Sequence, residues 1–104
     1  MSEFTNVTVT REANVYFDGN VTSRKVTFAD GSYKTLGIMM PGEFTFGTEK
    51  AELMEILAGK LTYRLKGDAQ WIDVSAGESF NVPANSSFDI QILELVDYCC
   101  SYLD

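Results

Sequence analysis

The chain has no histidine among its 104 residues. That removes the one side chain whose ordinary pKa lies near neutrality, and the usual ligand of Zn, Fe, Ni and Cu sites. Cysteine is nearly as scarce, with only the adjacent pair Cys99 and Cys100. Neighbours on a strand point to opposite faces, so a bridge between them would need strained geometry. A disulfide framework and a CxxC redox or zinc pattern are both excluded, and the two read as small reduced residues. Basic residues are few: eight Lys and Arg face fifteen Asp and Glu, a net charge of −7. That disfavours nucleic-acid polymers and anionic membranes as partners, because both need clustered cations. A single phosphate, held by one or two cations, stays open. No apolar run approaches the roughly 20 residues that span a bilayer. Residues 1–4 lack the basic start and apolar core of a signal peptide, so a cytoplasmic location is expected.

What is present is a strand grammar. Apolar residues make up 45% of the chain, enough for one core in one small domain. Residues 1–13 are polar and aperiodic and read as an N-terminal arm or short edge strand, with a single domain over 14–104. From residue 14 onward apolar and polar residues alternate in short runs. Gly, Asn, Asp or Pro breaks them at intervals of about eight to twelve residues, an all-β pattern. The spacing predicts ten strands: 15–17, 21–28, 33–40, 43–48, 52–57, 60–66, 71–74, 79–82, 87–93 and 98–103. Turns are expected at Asp18-Gly19-Asn20, Asp30-Gly31, Pro41-Gly42, Ala58-Gly59, Gly67-Asp68 and Gly77-Glu78. Asn85 suits a left-handed position. No window carries a sustained helical stripe.

Two spacings stand out. Glu52 precedes Gly59 by seven positions, and Gly77, Pro83, Asn85 and Phe88 follow in a second block. Together they resemble the two halves of the cupin signature. The resemblance implies a cupin-type jelly-roll β-barrel, and it puts Phe46, Thr48 and Phe88 at positions that carry metal-binding histidines in other cupins. Glu52 falls at the cupin carboxylate position. No metal site is expected.

Further stretches extend the likeness: Tyr16 to Val21, Gly37 to Met39, Pro41 to Thr48, Leu53 to Thr62, Ala76 to Phe88, and Tyr98, Cys100 and Tyr102. Over roughly residues 14–103 the chain resembles the small bacterial pyrimidine/purine nucleoside phosphorylases. Asn20 and Thr22 stand where lysines are expected in that family. The resemblance implies a homodimer that splits purine and pyrimidine nucleosides with inorganic phosphate, giving free base and pentose 1-phosphate. Phosphate is then a co-substrate, and no cofactor is expected.

That chemistry assigns candidate roles. Phosphorolysis passes through a sugar with oxocarbenium character, so it needs a placed phosphate, held sugar hydroxyls and a stabilised leaving base. Glu52, on a face with Met54 and Ile56, is the candidate catalytic carboxylate, because burial there is costly without a partner or a purpose. Phe46 and Phe88 offer stacking surfaces that tolerate any base. Thr48, Tyr63, Tyr98 and Tyr102 offer hydroxyls. Arg24, Lys25 and Lys34 are the phosphate candidates, with Arg24 preferred because it shares a face with Val26 and Phe28. Two other readings stay open. One is a non-catalytic, metal-free cupin that binds a small sugar or nucleoside. The other, a metal site on Glu52 with Cys100 or Asp residues, is poor without imidazole.

Overall fold

A computed structural model describes residues 3–103. Nine strands and one 3-10 turn make up its regular structure: β1 (Thr8–Val9), β2 (Asn14–Tyr16), the turn Phe17–Gly19, β3 (Val21–Thr27), β4 (Tyr33–Met39), β5 (Gly42–Thr48), β6 (Ala51–Leu65), β7 (Ile72–Ser75), β8 (Ser79–Val82) and β9 (Ser86–Leu103). There is no α-helix among the described residues. None of their helical segments is long and apolar enough to cross a membrane.

The two longest strands organise everything. β6 and β9 pair along nearly their whole length, but the register slips between Ile56 and Leu61. Each strand thereby belongs to two sheets. The first half of β6 and the second half of β9 join β4, β3 and β8. Their other halves join β5 and β7. The two sheets face one another as a jelly-roll sandwich. The hydrogen-bonded path runs β1-β3-β4-β9-β6-β7 and stays open, so the expected barrel is not closed by a continuous ladder. β5 has only β9 as a partner, which leaves β2, β3 and part of β4 overhanging it.

Gly59 causes the switch. A turn was expected at Ala58-Gly59; instead the chain continues through a bulge within one strand. Gly59 has φ of +94°, and a Cβ there would sit 2.1 Å from the Leu95 carbonyl oxygen. Glycine lets the two backbones close up at the bend, and the bulge re-aims the strand into the second sheet. The expected gap before residue 98 likewise lies inside a single strand, β9. The ten anticipated strands therefore become nine, with two of the expected runs merged twice and one short strand, β1, gained in the arm. That strand pairs Thr8 with Thr27 and Val9 with Val26.

The other punctuation holds. Gly77 lies at φ +89° and its N–H donates to Ile56, while Glu78 closes the turn back to Ser75 at 3.0 Å. Asn85 takes the left-handed conformation at φ +52° and donates to the Glu49 carbonyl. Between the sheets lies the core, with Val21, Met39, Ile56, Leu61, Ile90 and Val96 at 2% exposure or less. Leu61 and Tyr63 point inward from β6 as their alternation predicts, with Thr62 and Arg64 on the outer face; Leu65, partly buried, packs against the core.

Candidate functional site

Cross-strand register places the site. In the larger sheet, Ile56, Tyr98, Gly37 and Ser23 lie opposite one another, and so do Met54, Cys100, Thr35 and Lys25. Opposed residues share a face, so these two rows share the inner face with Glu52 and Tyr102, which also pair, and Lys25 lies at its exposed edge. From the smaller sheet Phe46 pairs with Phe88. Where the overhanging strands meet β5 a cavity of about 200 Å³ opens, walled by Glu52, Tyr98, Cys100 and Tyr102 on one side and Phe46 and Phe88 on the other.

The aromatic wall is layered. Phe46 stacks on Phe88 with centroids 5.5 Å apart and planes 26° off parallel. Phe17 meets Phe46 edge-on at 5.4 Å and lies tilted over Phe44 at 4.9 Å. Gly37 makes room for the opposite wall: Tyr98 lies directly over it, and a Cβ there would stand 2.7 Å from the phenol carbon and oxygen. The Tyr98 hydroxyl donates to the Thr22 carbonyl at 3.3 Å and lies beside Ser23, which accepts from Asn14 at 3.2 Å.

The polar wall is a cluster. Thr35 and Tyr102 share a hydrogen bond at 3.2 Å, and Cys100 and Glu52 line the cavity beside them. Burial sets its electrostatics. It raises the Glu52 carboxyl above its ordinary value, against a smaller lowering by Cys100 beside it. Burial, reinforced by the Glu52 charge, pushes the Cys100 thiol up to about 12, so it is a donor and no nucleophile. The phenols of Tyr98 and Tyr102 are raised too, chiefly by burial, and both stay protonated at neutral pH. A half-buried carboxyl thus faces the cavity with protonated donors around it. Among the described residues no three acidic or thiol side chains come together as a metal-binding group.

Not every expected residue lines this cavity. Thr48 is buried, but its hydroxyl donates to the Pro83 carbonyl at 2.8 Å and accepts from the Ser86 N–H at 3.0 Å. It pins the turn before β9 to β5. Tyr63 stacks on Phe80 at 3.9 Å, away from the cavity wall. Arg24, the preferred phosphate candidate, lies away from this cavity. Arg24 pairs with Leu36 on the outer face and donates to the Arg11 carbonyl at 3.2 Å. Val26, which suggested an inward face, is buried on that outer side, where β1 covers it. Lys34 is also outward, with its ammonium 5.6 Å from the Phe4 ring centre. Lys25 shares the register row of Thr35 and Cys100, but its side chain is exposed and does not line the cavity. Its ammonium sits 4.4 Å over the Tyr33 ring, and Tyr33 lies tilted at 5.0 Å against Tyr102, a cavity wall. Sequence reasoning missed Tyr16, Ser23 and Thr35 as wall residues. The signal was available in β3, where Val21, Ser23 and Lys25 alternate, but their face could not be assigned before pairing with β4 was known.

Fold and site together define a small cupin-like jelly roll whose interior opens into an aromatic-walled, carboxyl-bearing cavity. Comparison narrows the class. The sequence matches the family described as pyrimidine/purine nucleoside phosphorylase over residues 11–102, and the chain belongs to that family. It is 62% identical over 104 residues to the pyrimidine/purine nucleoside phosphorylase of Hydrogenovibrio crunogenus, covering 100% of both chains. With that of Geobacter sulfurreducens it shares 64% over 103 residues, covering 99% of each. Among solved structures, a protein of unknown function from Acinetobacter sp. ADP1 superposes with a TM-score of 0.94 at 40% identity, covering 97% of this chain and 98% of that one. A cupin domain from Schizosaccharomyces pombe matches at a TM-score of 0.65 and 19% identity over 81% of this chain and 61% of that one, a likeness of fold alone.

Proposed function

We propose that the cavity catalyses phosphorolysis of purine and pyrimidine nucleosides. One observation carries the reading: stacked Phe46 and Phe88 face, across one cavity, a half-buried Glu52 with Tyr98, Cys100 and Tyr102 beside it. A planar base needs the first wall, and stacking is indifferent to whether the ring is purine or pyrimidine. A ribosyl ring needs the second. Glu52 accepts hydrogen bonds from sugar hydroxyls when ionised, and its charge offsets the positive character that grows on the anomeric carbon. When protonated, a form its burial favours, it can donate to the departing base nitrogen.

Lys25 is assigned to phosphate. Its exposed ammonium lies over Tyr33, which packs against the cavity wall Tyr102, so it can reach an anion held at the cavity rim. In the reaction a phosphate oxygen bonds to the anomeric carbon as the carbon–nitrogen bond breaks. The electron pair leaves with the base, which takes a proton from Glu52 or water. The rate gain comes from holding three partners in line and from preorganised charge. No step needs a metal or an imidazole.

Purified protein incubated with inosine and with uridine tests this. Free hypoxanthine and uracil are expected only when phosphate is present, with ribose 1-phosphate in equal amount. Nucleoside binding without base release would leave a binding protein in place of an enzyme.

A further inference from the structure

We infer that the cavity is a cage for cations, and that nucleosides whose base carries a positive charge on a quaternised ring nitrogen are a further substrate class of this protein. The inference rests on the reading that the cavity receives nucleosides. Three observations lead to it. The first is the lining. Five aromatic rings, those of Tyr16, Phe46, Phe88, Tyr98 and Tyr102, share the cavity with the Glu52 carboxyl, and no Lys or Arg among the described residues lines it. Aromatic rings carry negative π-faces, and a set of them around a pocket is how proteins hold quaternary ammonium groups. A carboxylate among the rings adds an attraction that a neutral base does not feel.

The second observation is where positive charge does lie. Lys25 stands outside the cavity, its exposed ammonium over the Tyr33 ring. Arg24 donates to the Arg11 carbonyl on the outer face, and Arg64 pairs with Asp89 at 2.9 Å. Cations are thus kept out of the interior, and one is offered near the rim, where phosphate belongs. The third is the supply of protons. Besides Glu52, the titratable groups lining the cavity are Tyr16 from β2 and Tyr98, Cys100 and Tyr102 from β9. Phenols and thiols release protons less readily than a carboxyl. The Tyr98 hydroxyl is also committed to the Thr22 carbonyl, and that of Tyr102 is shared with Thr35. A neutral base that needs a proton in order to leave must therefore draw it from Glu52 or water.

A cationic base has no such need. A phosphate oxygen bonds to the anomeric carbon, the carbon–nitrogen bond breaks, and its electron pair neutralises the ring nitrogen. The base departs uncharged, with no proton to find. In a neutral nucleoside the same electron pair leaves as negative charge beside Glu52 unless a proton is supplied. With the cation, Glu52 works ionised: its charge holds the positive ring before the bond breaks, and that hold ends once the base is neutral.

Nicotinamide riboside and benzamide riboside test the cage, because they share one shape and differ in a ring atom, a cationic nitrogen against a neutral carbon. Their Kd values are measured by calorimetry without phosphate. Nicotinamide riboside is expected to bind about tenfold more tightly, the scale of a desolvated cation–π contact. Glu52→Gln is expected to cut that preference by about threefold, the scale of a partly screened charge pair. With phosphate added, nicotinamide and ribose 1-phosphate should appear in equal amount. A wild-type preference below about twofold overturns the cage, and base release from inosine and uridine in the same buffer then leaves the phosphorylase reading intact. A preference that survives Glu52→Gln unchanged overturns the role given to the carboxyl. Tight binding without cleavage, while inosine and uridine are cleaved, rejects the cation as a substrate. A full preference with no base released from any nucleoside keeps the cage and removes the catalytic reading. No binding of any nucleoside overturns both. Should Glu52→Gln fail to fold, the wild-type ratio decides alone.

Discussion

Gly37→Ala places the sharpest demand on this structure. The added Cβ would lie 2.0 Å from the Thr22 carbonyl oxygen and 2.7 Å from both the phenol carbon and the oxygen of Tyr98. Carbon and carbonyl oxygen ordinarily approach no closer than about 3.3 Å. The Thr22 carbonyl, or the strand carrying it, must therefore retreat by more than about 1 Å. That carbonyl belongs to β3 and receives the Tyr98 hydroxyl, so a retreat loosens the β3–β4 ladder and the Tyr98 bond together. Overpacking of this kind costs about 1–3 kcal/mol, and a lost hydrogen bond about 1 kcal/mol more. Alanine restricts the unfolded chain and returns about 0.4–1 kcal/mol. The clash wins, for a net loss of about 1–3 kcal/mol. In a domain of this size that lowers the thermal midpoint by roughly 5–20 °C. Circular dichroism melts measure it. Tyr98→Ala as a common background separates the two clashes, because it removes the ring but leaves the backbone contact. Gly37→Ala should still cost more than half of its wild-type loss when the double variant is compared with Tyr98→Ala alone. A midpoint equal to or above wild type for Gly37→Ala, or no cost of Gly37→Ala in the Tyr98→Ala background, refutes the argument that backbone crowding controls this position.

Two further outcomes follow from the cavity. Glu52→Gln should cut turnover by about tenfold or more while raising the thermal midpoint at pH ~8. The sign comes from burial, which raises the folded carboxyl above its unfolded value of 4.5. Wild type thus carries no penalty below pH 4.5 and loses stability as pH climbs through the folded pKa, whereas the glutamine variant does not ionise. The gap between the two melts should open with rising pH, and a gap that is flat or reversed removes Glu52 from the buried wall. Lys25→Ala should raise the Michaelis constant for phosphate by about tenfold and leave that for nucleoside nearly unchanged, while Arg24→Ala alters neither. The opposite pattern in steady-state kinetics would return the anion site to the outer face.

The fold was legible to the extent that local chemistry decides it. Alternation along 60–66, the turn at Gly77 and the left-handed Asn85 each depend on a few neighbouring residues, and each is found as read. Gly59 was legible as a glycine that needs positive φ, but not as a bulge. A turn and a bulge make the same local demand. What separates them is the Leu95 backbone, 36 positions away in sequence, packed against the bend. The break expected before residue 98 failed for a related reason: Leu93, Glu94 and Leu95 are exposed where β9 changes sheets, so the alternation lapses without the strand ending.

The site exposes a stricter limit. Period-two reasoning sorts a strand into two faces but does not say which face is inside. For β3 the apolar content is balanced: Val21 is buried on one side and Val26 on the other. Counting apolar neighbours chose the Val26 side and so promoted Arg24. The register with β4 and β9 chooses the other, because Ser23 and Lys25 line up with Tyr98 and Cys100 through Gly37 and Thr35. Polar Ser23 at 5% exposure and Thr35 at 6% are the telling residues. A buried hydroxyl needs a partner, and here Asn14 and Tyr102 supply it. On β3 and β4 the cavity-facing side is the one on which Ser23 and Thr35 are buried with partners. Apolar count points instead to the face that the N-terminal arm covers.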